Sequence, residues 1–154
     1  MKIQWKKLII SVAVPLAVGG LASLLTMDGM KAFSLLKQPP LSPPAWLFPA
    51  VWSLLYTLMG VACYLVWISA RDDNEPLYAY GIQLFMNFFW SILFFGVGNT
   101  LAAFIWLVLL FGAVVWTAVL FFRTRRAAGW LLVPYILWIG FALYLNLGVY
   151  LLNR

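Results

Sequence analysis

Long apolar runs broken by short charged clusters dominate this chain. No Asp, Glu, Lys or Arg interrupts Leu8–Met27, Leu41–Ser69, Pro76–Phe122 or Ala127–Asn153. A helix needs about 20 apolar residues to cross roughly 30 Å of hydrocarbon. Pro76–Phe122 is too long for one crossing, since at about 1.5 Å per residue it would measure roughly 70 Å. Gly96-Val97-Gly98-Asn99-Thr100 supplies a turn that divides it. The pattern predicts five transmembrane helices at about 8–26, 45–69, 77–95, 101–122 and 128–152, in one domain covering 1–154. The expected fold class is an all-α integral membrane protein, a five-helix bundle. The first run exceeds the roughly 7–15 apolar residues of a signal-peptide core, and Met27-Asp28-Gly29-Met30 follows it. It is therefore expected to stay in place as a helix.

Composition agrees with this reading. Charged residues are 9% of the chain, against about 25% in soluble domains. Lys and Arg in the flanks set the expected orientation. Lys2, Lys6, Lys7, Arg71, Arg123, Arg125 and Arg126 fall at one end of the bundle, and Lys31, Lys37 and Arg154 at the other. This imbalance places the N-terminus in the cytoplasm, with the 27–44 loop and the C-terminus outside the cell membrane. The net charge of +6 is thus assigned to orientation and lipid headgroups. Without a basic patch interleaved with aromatics, nucleic acid is not an expected partner.

The connection into the second span is unusual. Pro39, Pro40, Pro43 and Pro44 lack backbone donors and push their predecessors toward extended geometry. A stiff loop is therefore expected between helices 1 and 2. It feeds directly into a helix carrying Phe48, Trp52 and Tyr56. Such an arrangement suits a lid over a pocket.

Much chemistry is excluded. The chain has no His and a single Cys, Cys63. Metal sites built from His and Cys, internal disulfides and Ser-His or Cys-His nucleophiles cannot be assembled. Cys63 is expected to be a packing residue in mid-span. No acid or base sits at the centre of a span, which argues against ion-coupled transport. No Gly-rich phosphate loop is present.

What remains is aromatic: nine Trp, seven Tyr and twelve Phe. Trp5, Trp67, Tyr78, Tyr80, Trp130 and Tyr150 lie near span ends and fit an interfacial belt. Tyr56, Trp90 and Trp138 sit deeper. In the third span Gln83, Asn87, Trp90 and Phe94 recur at helical spacing and share a face. Amides are costly against lipid, so this face should point inward. It would serve either for helix–helix hydrogen bonding or as a polar anchor in a pocket. In the fifth span Tyr135, Trp138, Ala142 and Leu145 share a face just after Pro134, which is expected to kink the helix. Apolar burial gives little selectivity for a ligand already dissolved in lipid. Ring stacking and a few hydrogen bonds must supply it. The sequence favours a planar, amphipathic, membrane-soluble ligand.

These motifs resemble the TspO/MBR family, the tryptophan-rich sensory proteins and translocator proteins also known as peripheral-type benzodiazepine receptors. The resemblance is carried by Pro43-Pro44-Ala45-Trp46-Leu47-Phe48-Pro49-Ala50-Val51-Trp52 with Tyr56 and Met59-Gly60. It continues through Gln83-Leu84-Phe85-Met86-Asn87-Phe88-Phe89-Trp90 with Phe94-Phe95-Gly96, and Pro134-Tyr135-Ile136-Leu137-Trp138 with Phe141-Ala142 and Leu145-Asn146. Gly19-Gly20 fits as well. The resemblance implies a homodimeric five-helix bundle in the lipid bilayer. It implies no covalently bound cofactor. The ligands it implies are porphyrins such as protoporphyrin IX, haem-like tetrapyrroles and isoquinoline or benzodiazepine drugs, with cholesterol added in animal members. The pocket residues that follow are Trp52, Asn87, Trp90, Trp138, Phe141, Ala142 and Leu145, beside Phe48, Tyr56, Gln83 and Tyr135 from the residue pattern. A bacterial receptor or sensor is the leading expectation. The alternatives are light-dependent porphyrin degradation, with Trp52 and Trp138 as catalytic residues, and facilitated passage of tetrapyrroles or other hydrophobic molecules. One departure stands out: many members carry Lys-Pro-x-Trp-x-Pro-Pro in the loop, whereas this chain has Leu41 and no tryptophan before Pro43. For a dimer contact, Ala79, Gly81 and Ala102 are the small residues available.

Overall fold

The computed structural model describes residues 2–70 and 73–154. Arg71, part of the charge imbalance, lies outside the described residues, as does its neighbour Asp72. The chain forms α1 (Trp5–Leu25), α2 (Met27–Phe33), α3 (Leu47–Trp67), α4 (Glu75–Ser91), α5 (Thr100–Thr124) and α6 (Arg126–Asn153). A π-helical turn, Ile92–Gly96, prolongs α4. All but α2 belong to segments long and apolar enough to cross a membrane, five such segments among the described residues. The predicted spans hold, with ends that shift by a few residues. α1 begins earlier, at Trp5, taking in Lys6 and Lys7, whose long stems can lie along the helix while the ammonium reaches the interface. α4 begins at Glu75 because Pro76 is favoured at the first helical positions, where its missing donor costs nothing. α6 runs through Pro134 as one helix.

The bundle closes as a ring. α1 packs chiefly on α3, α3 on α6, α6 on α5 and α5 on α4, with α1 also touching α4. α1 buries the smallest share of its length. The outer surface is apolar, as Ile9, Leu24, Leu54, Phe85, Leu109 and Leu137 show. Lipid exerts no hydrophobic push on such faces, so cohesion must come from close packing and internal hydrogen bonds. Gly60 illustrates the packing: a Cβ there would collide with the α1 backbone at Ser11 and Val12. Gly19 plays the same part for the Tyr56 ring, and Gly129 for the Phe122 ring.

The loop between α1 and α3 is more structured than the proline pattern implies. Its first part folds into α2, seated on the π turn. Gly29 approaches the Phe95 carbonyl so closely that no side chain fits. The Phe33 ring meets Phe94 at 5.2 Å and Phe95 at 5.3 Å. Adjacent residues on an α-helix point about 100° apart. The π turn, closed by Val97 N–H to the Ile92 carbonyl at 2.8 Å, lets both rings reach α2. Gly98, at φ +72°, reverses the chain in a left-handed geometry suited to glycine. The Asn99 side chain caps α5 by accepting from the Ala102 N–H at 3.0 Å.

The proline stretch is not uniformly extended: Ser42 N–H closes a turn onto the Pro39 carbonyl at 3.3 Å, and the stretch clamps onto α6. Lys37 N–H donates to Asn153 Oδ1 at 3.0 Å, and Asn153 Nδ2 donates to the Lys37 carbonyl at 2.9 Å. Tyr144 Oη donates to the Pro40 carbonyl at 2.6 Å. Pro39 fills the notch left by Gly148. Leu41 follows at φ +68° with its side chain 83% exposed. A leucine in the left-handed region is strained, and this one covers nothing.

Two sequence expectations change. Tyr80 is not in an interfacial belt: it is 6% exposed and stacks on Phe121 at 5.9 Å. Ala79 is fully buried within the bundle and unavailable to a second copy, whereas Gly81 is exposed. Trp5, Tyr78 and Trp130 are exposed near helix ends, as a belt requires. Lys7 lies 5.1 Å over the Trp67 ring, a cation–π contact.

Gly60→Val should force α1 and α3 apart and destabilise the protein by about 1–3 kcal/mol or more, as overpacking does. Thermal unfolding in detergent should show a lower midpoint. Gly112→Ala, at a position with open space around it, should leave the midpoint unchanged or raise it.

Candidate functional site

A polar chain crosses the bundle between α3, α4 and α6. Tyr56 Oη donates to Asn87 Oδ1 at 2.6 Å. Asn87 Nδ2 donates to Tyr135 Oη at 2.9 Å, and Tyr135 Oη donates to Gln83 Oε1 at 2.9 Å. Gln83 Nε2 reaches Met59 Sδ at 3.7 Å. The directions are consistent along the whole chain, and all of these side chains are buried. A second link joins α4 to α6 and α5. Trp90 Nε1 donates to Asn146 Oδ1 at 3.2 Å, and Asn146 Nδ2 donates to the Thr100 carbonyl at 2.8 Å. In a water-free interior each broken link would strand a polar group.

Beside this chain lies a cavity of about 480 Å³ bounded by α1, α2, α3 and the end of α4. This is within the roughly 300–1,000 Å³ range of small-molecule sites. Its aromatic wall comes from Phe48, Trp52 and Tyr56 on α3, Trp90 on α4 and Phe95 on the π turn. Trp52 is the hub of that wall. Its ring centroid lies 5.4 Å from Tyr56, 6.2 Å from Trp90 at an interplanar angle of 32°, and 6.2 Å from Tyr135. Trp90 in turn stacks on Phe94 at 5.4 Å. The opposite wall is α1 with Leu16, Gly19, Gly20, Ala22 and Ser23. No atom lies within 4 Å of where a Cβ on Gly20 would sit, so that glycine adds room. Thr26 and Met30 close the cavity from the α2 side.

Four of the sequence candidates therefore share the cavity: Phe48, Trp52, Tyr56 and Trp90. Gln83, Asn87 and Tyr135 stand behind its wall, with their polar groups spent on one another. Trp138 and Phe141 form an aromatic pair at 5.7 Å on the α6 side. Trp138 reaches the cavity only through Phe48, whose ring it meets edge-on at 6.0 Å. Ala142 and Leu145 are buried in α6 and do not line it. Sequence reasoning missed the α1 wall. Gly19-Gly20 was its one visible signal, read as motif and not as space.

The described residues contain no cluster of three or more His, Cys, Asp or Glu able to hold a metal. The cavity can bind, orient and stack. It offers no acid–base pair.

Removing the Tyr135 hydroxyl should leave both the Asn87 and Gln83 amides short of a partner. Tyr135→Phe is expected to cost about 1–3 kcal/mol, the usual cost of stranding a buried polar group. Detergent-phase thermal unfolding measures it. Trp138→Phe, which conserves an aromatic ring outside the network, should lower the midpoint less.

Comparison with known proteins places the whole arrangement. The model of the TspO/MBR family matches residues 11–152. The chain is 38% identical over 149 residues to the "Tryptophan-rich protein TspO" of Archaeoglobus fulgidus, covering 96% of this chain and 97% of that one. It is 37% identical to the protein of the same name from Chlorobaculum tepidum, covering 99% of each. It is 35% identical over 127 residues to the human "Translocator protein", covering 80% of this chain and 75% of that one. With five apolar crossings, the family's motifs in order and a family match over nearly its full length, the chain belongs to the TspO/MBR family of integral membrane proteins.

Proposed function

We propose that the protein is a membrane receptor for flat, amphipathic ligands of the tetrapyrrole class, protoporphyrin IX and haem-like molecules among them. The observation that carries this reading is the cavity beside Trp52 and Trp90, two indoles tilted by 32° on one wall. Isoquinoline- and benzodiazepine-type molecules satisfy the same requirement of a planar aromatic body. A ligand arriving from lipid gains little by burial alone, so ring contacts of about 0.5–1.5 kcal/mol each supply the selectivity. Phe48 and Tyr56 complete the stacking surface. Asn87 acts as the strut that fixes Tyr56 against Tyr135, and Trp138 backs Phe48 from the α6 side.

The charge distribution supports an orientation with the N-terminus in the cytoplasm. Lys2, Lys6, Lys7, Arg123, Arg125 and Arg126 lie at the end of the bundle opposite α2. The cavity, α2 and the proline clamp then sit toward the outer leaflet.

Titration with protoporphyrin IX, followed by the shift of its main absorption band, tests the reading. Trp52→Leu with Trp90→Leu should weaken binding by about tenfold, two stacking contacts' worth. Trp116→Phe, on a lipid-facing position of α5, should leave it unchanged. Equal affinity in the wild type and the double variant would remove the cavity from consideration.

A further inference from the structure

The buried amides that would most naturally anchor a ligand's polar edge are already satisfied by Tyr56, Tyr135 and Met59. The same cavity carries another set of donors. Ser23 on α1, Ser53 on α3 and Ser91 at the end of α4 all line it. Inside helices, Ser and Thr hydroxyls commonly bond back to a carbonyl one turn earlier. Thr26, Thr57, Thr117 and Thr124 all do so here, to Ala22, Ser53, Ala113 and Leu120 at 2.7–3.0 Å. The three cavity serines do not: among the described residues their hydroxyls make no hydrogen bond. Ser23 and Ser53 are also exposed, on helices long and apolar enough to cross a membrane. A hydroxyl facing lipid without a partner is unfavourable. Three of them line one cavity, Ser53 and Ser91 beside the indoles of Trp52 and Trp90 and Ser23 across from them on α1, and together they form a polar edge awaiting acceptors.

We infer that Ser23, Ser53 and Ser91 are the specificity-determining residues of the cavity, donating hydrogen bonds to carboxylate or carbonyl groups on the rim of a planar ligand. This rests on the receptor reading above and adds what it lacks, a basis for telling a flat amphipath from a flat hydrocarbon. The rings hold the body of the ligand, and the serines read its oxygen-bearing edge. Two of the three, Ser23 and Ser53, stand on helices that pack together and are both exposed. The edge therefore lies where the cavity meets the membrane, between α1 and α3. A ligand reaching the site sideways from the bilayer would meet the hydroxyls first.

The test compares two porphyrins that share a macrocycle. Protoporphyrin IX carries two propionates, and etioporphyrin carries only alkyl groups. Each is titrated into wild-type protein and into the Ser23→Ala, Ser53→Ala, Ser91→Ala triple variant. The wild type should prefer protoporphyrin IX, and the triple variant should bind it about tenfold more weakly or worse, as loss of several charge-assisted hydrogen bonds requires. Etioporphyrin affinity should be the same in both, which also reports an intact fold and cavity. A triple variant that keeps its preference for protoporphyrin IX overturns the inference alone. So does a wild type that binds both porphyrins equally. A wild type that binds neither overturns the receptor reading and this inference with it.

Discussion

Hydrogen-bond satisfaction in a medium without water is the constraint on which this structure depends. Lipid outside the bundle is as apolar as the side chains inside, so burying them gains little. The polar groups have no such indifference. Tyr56, Asn87, Tyr135 and Gln83 complete one another in a directed chain that ties α3, α4 and α6 together. Trp90, Asn146 and the Thr100 carbonyl tie α4, α6 and α5. The crossing helix α1 takes no part in these links; it meets α3 by close approach at Gly60 and Gly19 and through Lys7 over the Trp67 ring. It is also the least buried crossing and forms the far wall of the cavity. The cavity thus opens along the side of the bundle that the polar chain does not fasten.

The segment between α1 and α3 is fastened at two points. α2 sits on the π turn through Gly29 and Phe33, and the proline stretch is held on α6 by Asn153, Tyr144 and the Gly148 notch. The Asn153 carboxamide pairs with Lys37 as a neighbouring strand would, giving and taking one hydrogen bond each. π turns recur at functional sites, and here the turn brings Phe94 and Phe95 together against Phe33 of α2. Leu41, where many relatives hold a tryptophan, lies exposed beside this clamp. The ring at that position is therefore not needed to hold the proline stretch in place.

Most of the architecture could be read from charge-free runs and turn residues, because a membrane crossing leaves a coarse and strong pattern. Helix ends shifted where Lys6, Lys7 and Pro76 are tolerated within first turns. α2 was not legible: seven residues interrupted by Asp28, Gly29 and Lys31 give no periodicity. The inward face of Gln83, Asn87 and Trp90 was legible from spacing. Whether the amides served a ligand or each other was not, since that depends on Tyr56 and Tyr135 arriving from two other helices. Tyr80 was misread for a related reason. Nearness to a span end suggests an interface, but its partner Phe121 lies on α5. The α1 wall escaped notice because its contribution is the absence of side chains.

A structure of the protein bound to protoporphyrin IX would test the central claim most directly. The account predicts the macrocycle against Trp52 and Trp90, between α1 and α3, with the Tyr56–Asn87–Tyr135 hydrogen bonds unbroken. A macrocycle seated against Trp138 and Phe141, with the Asn87 amide turned toward it, would contradict that claim.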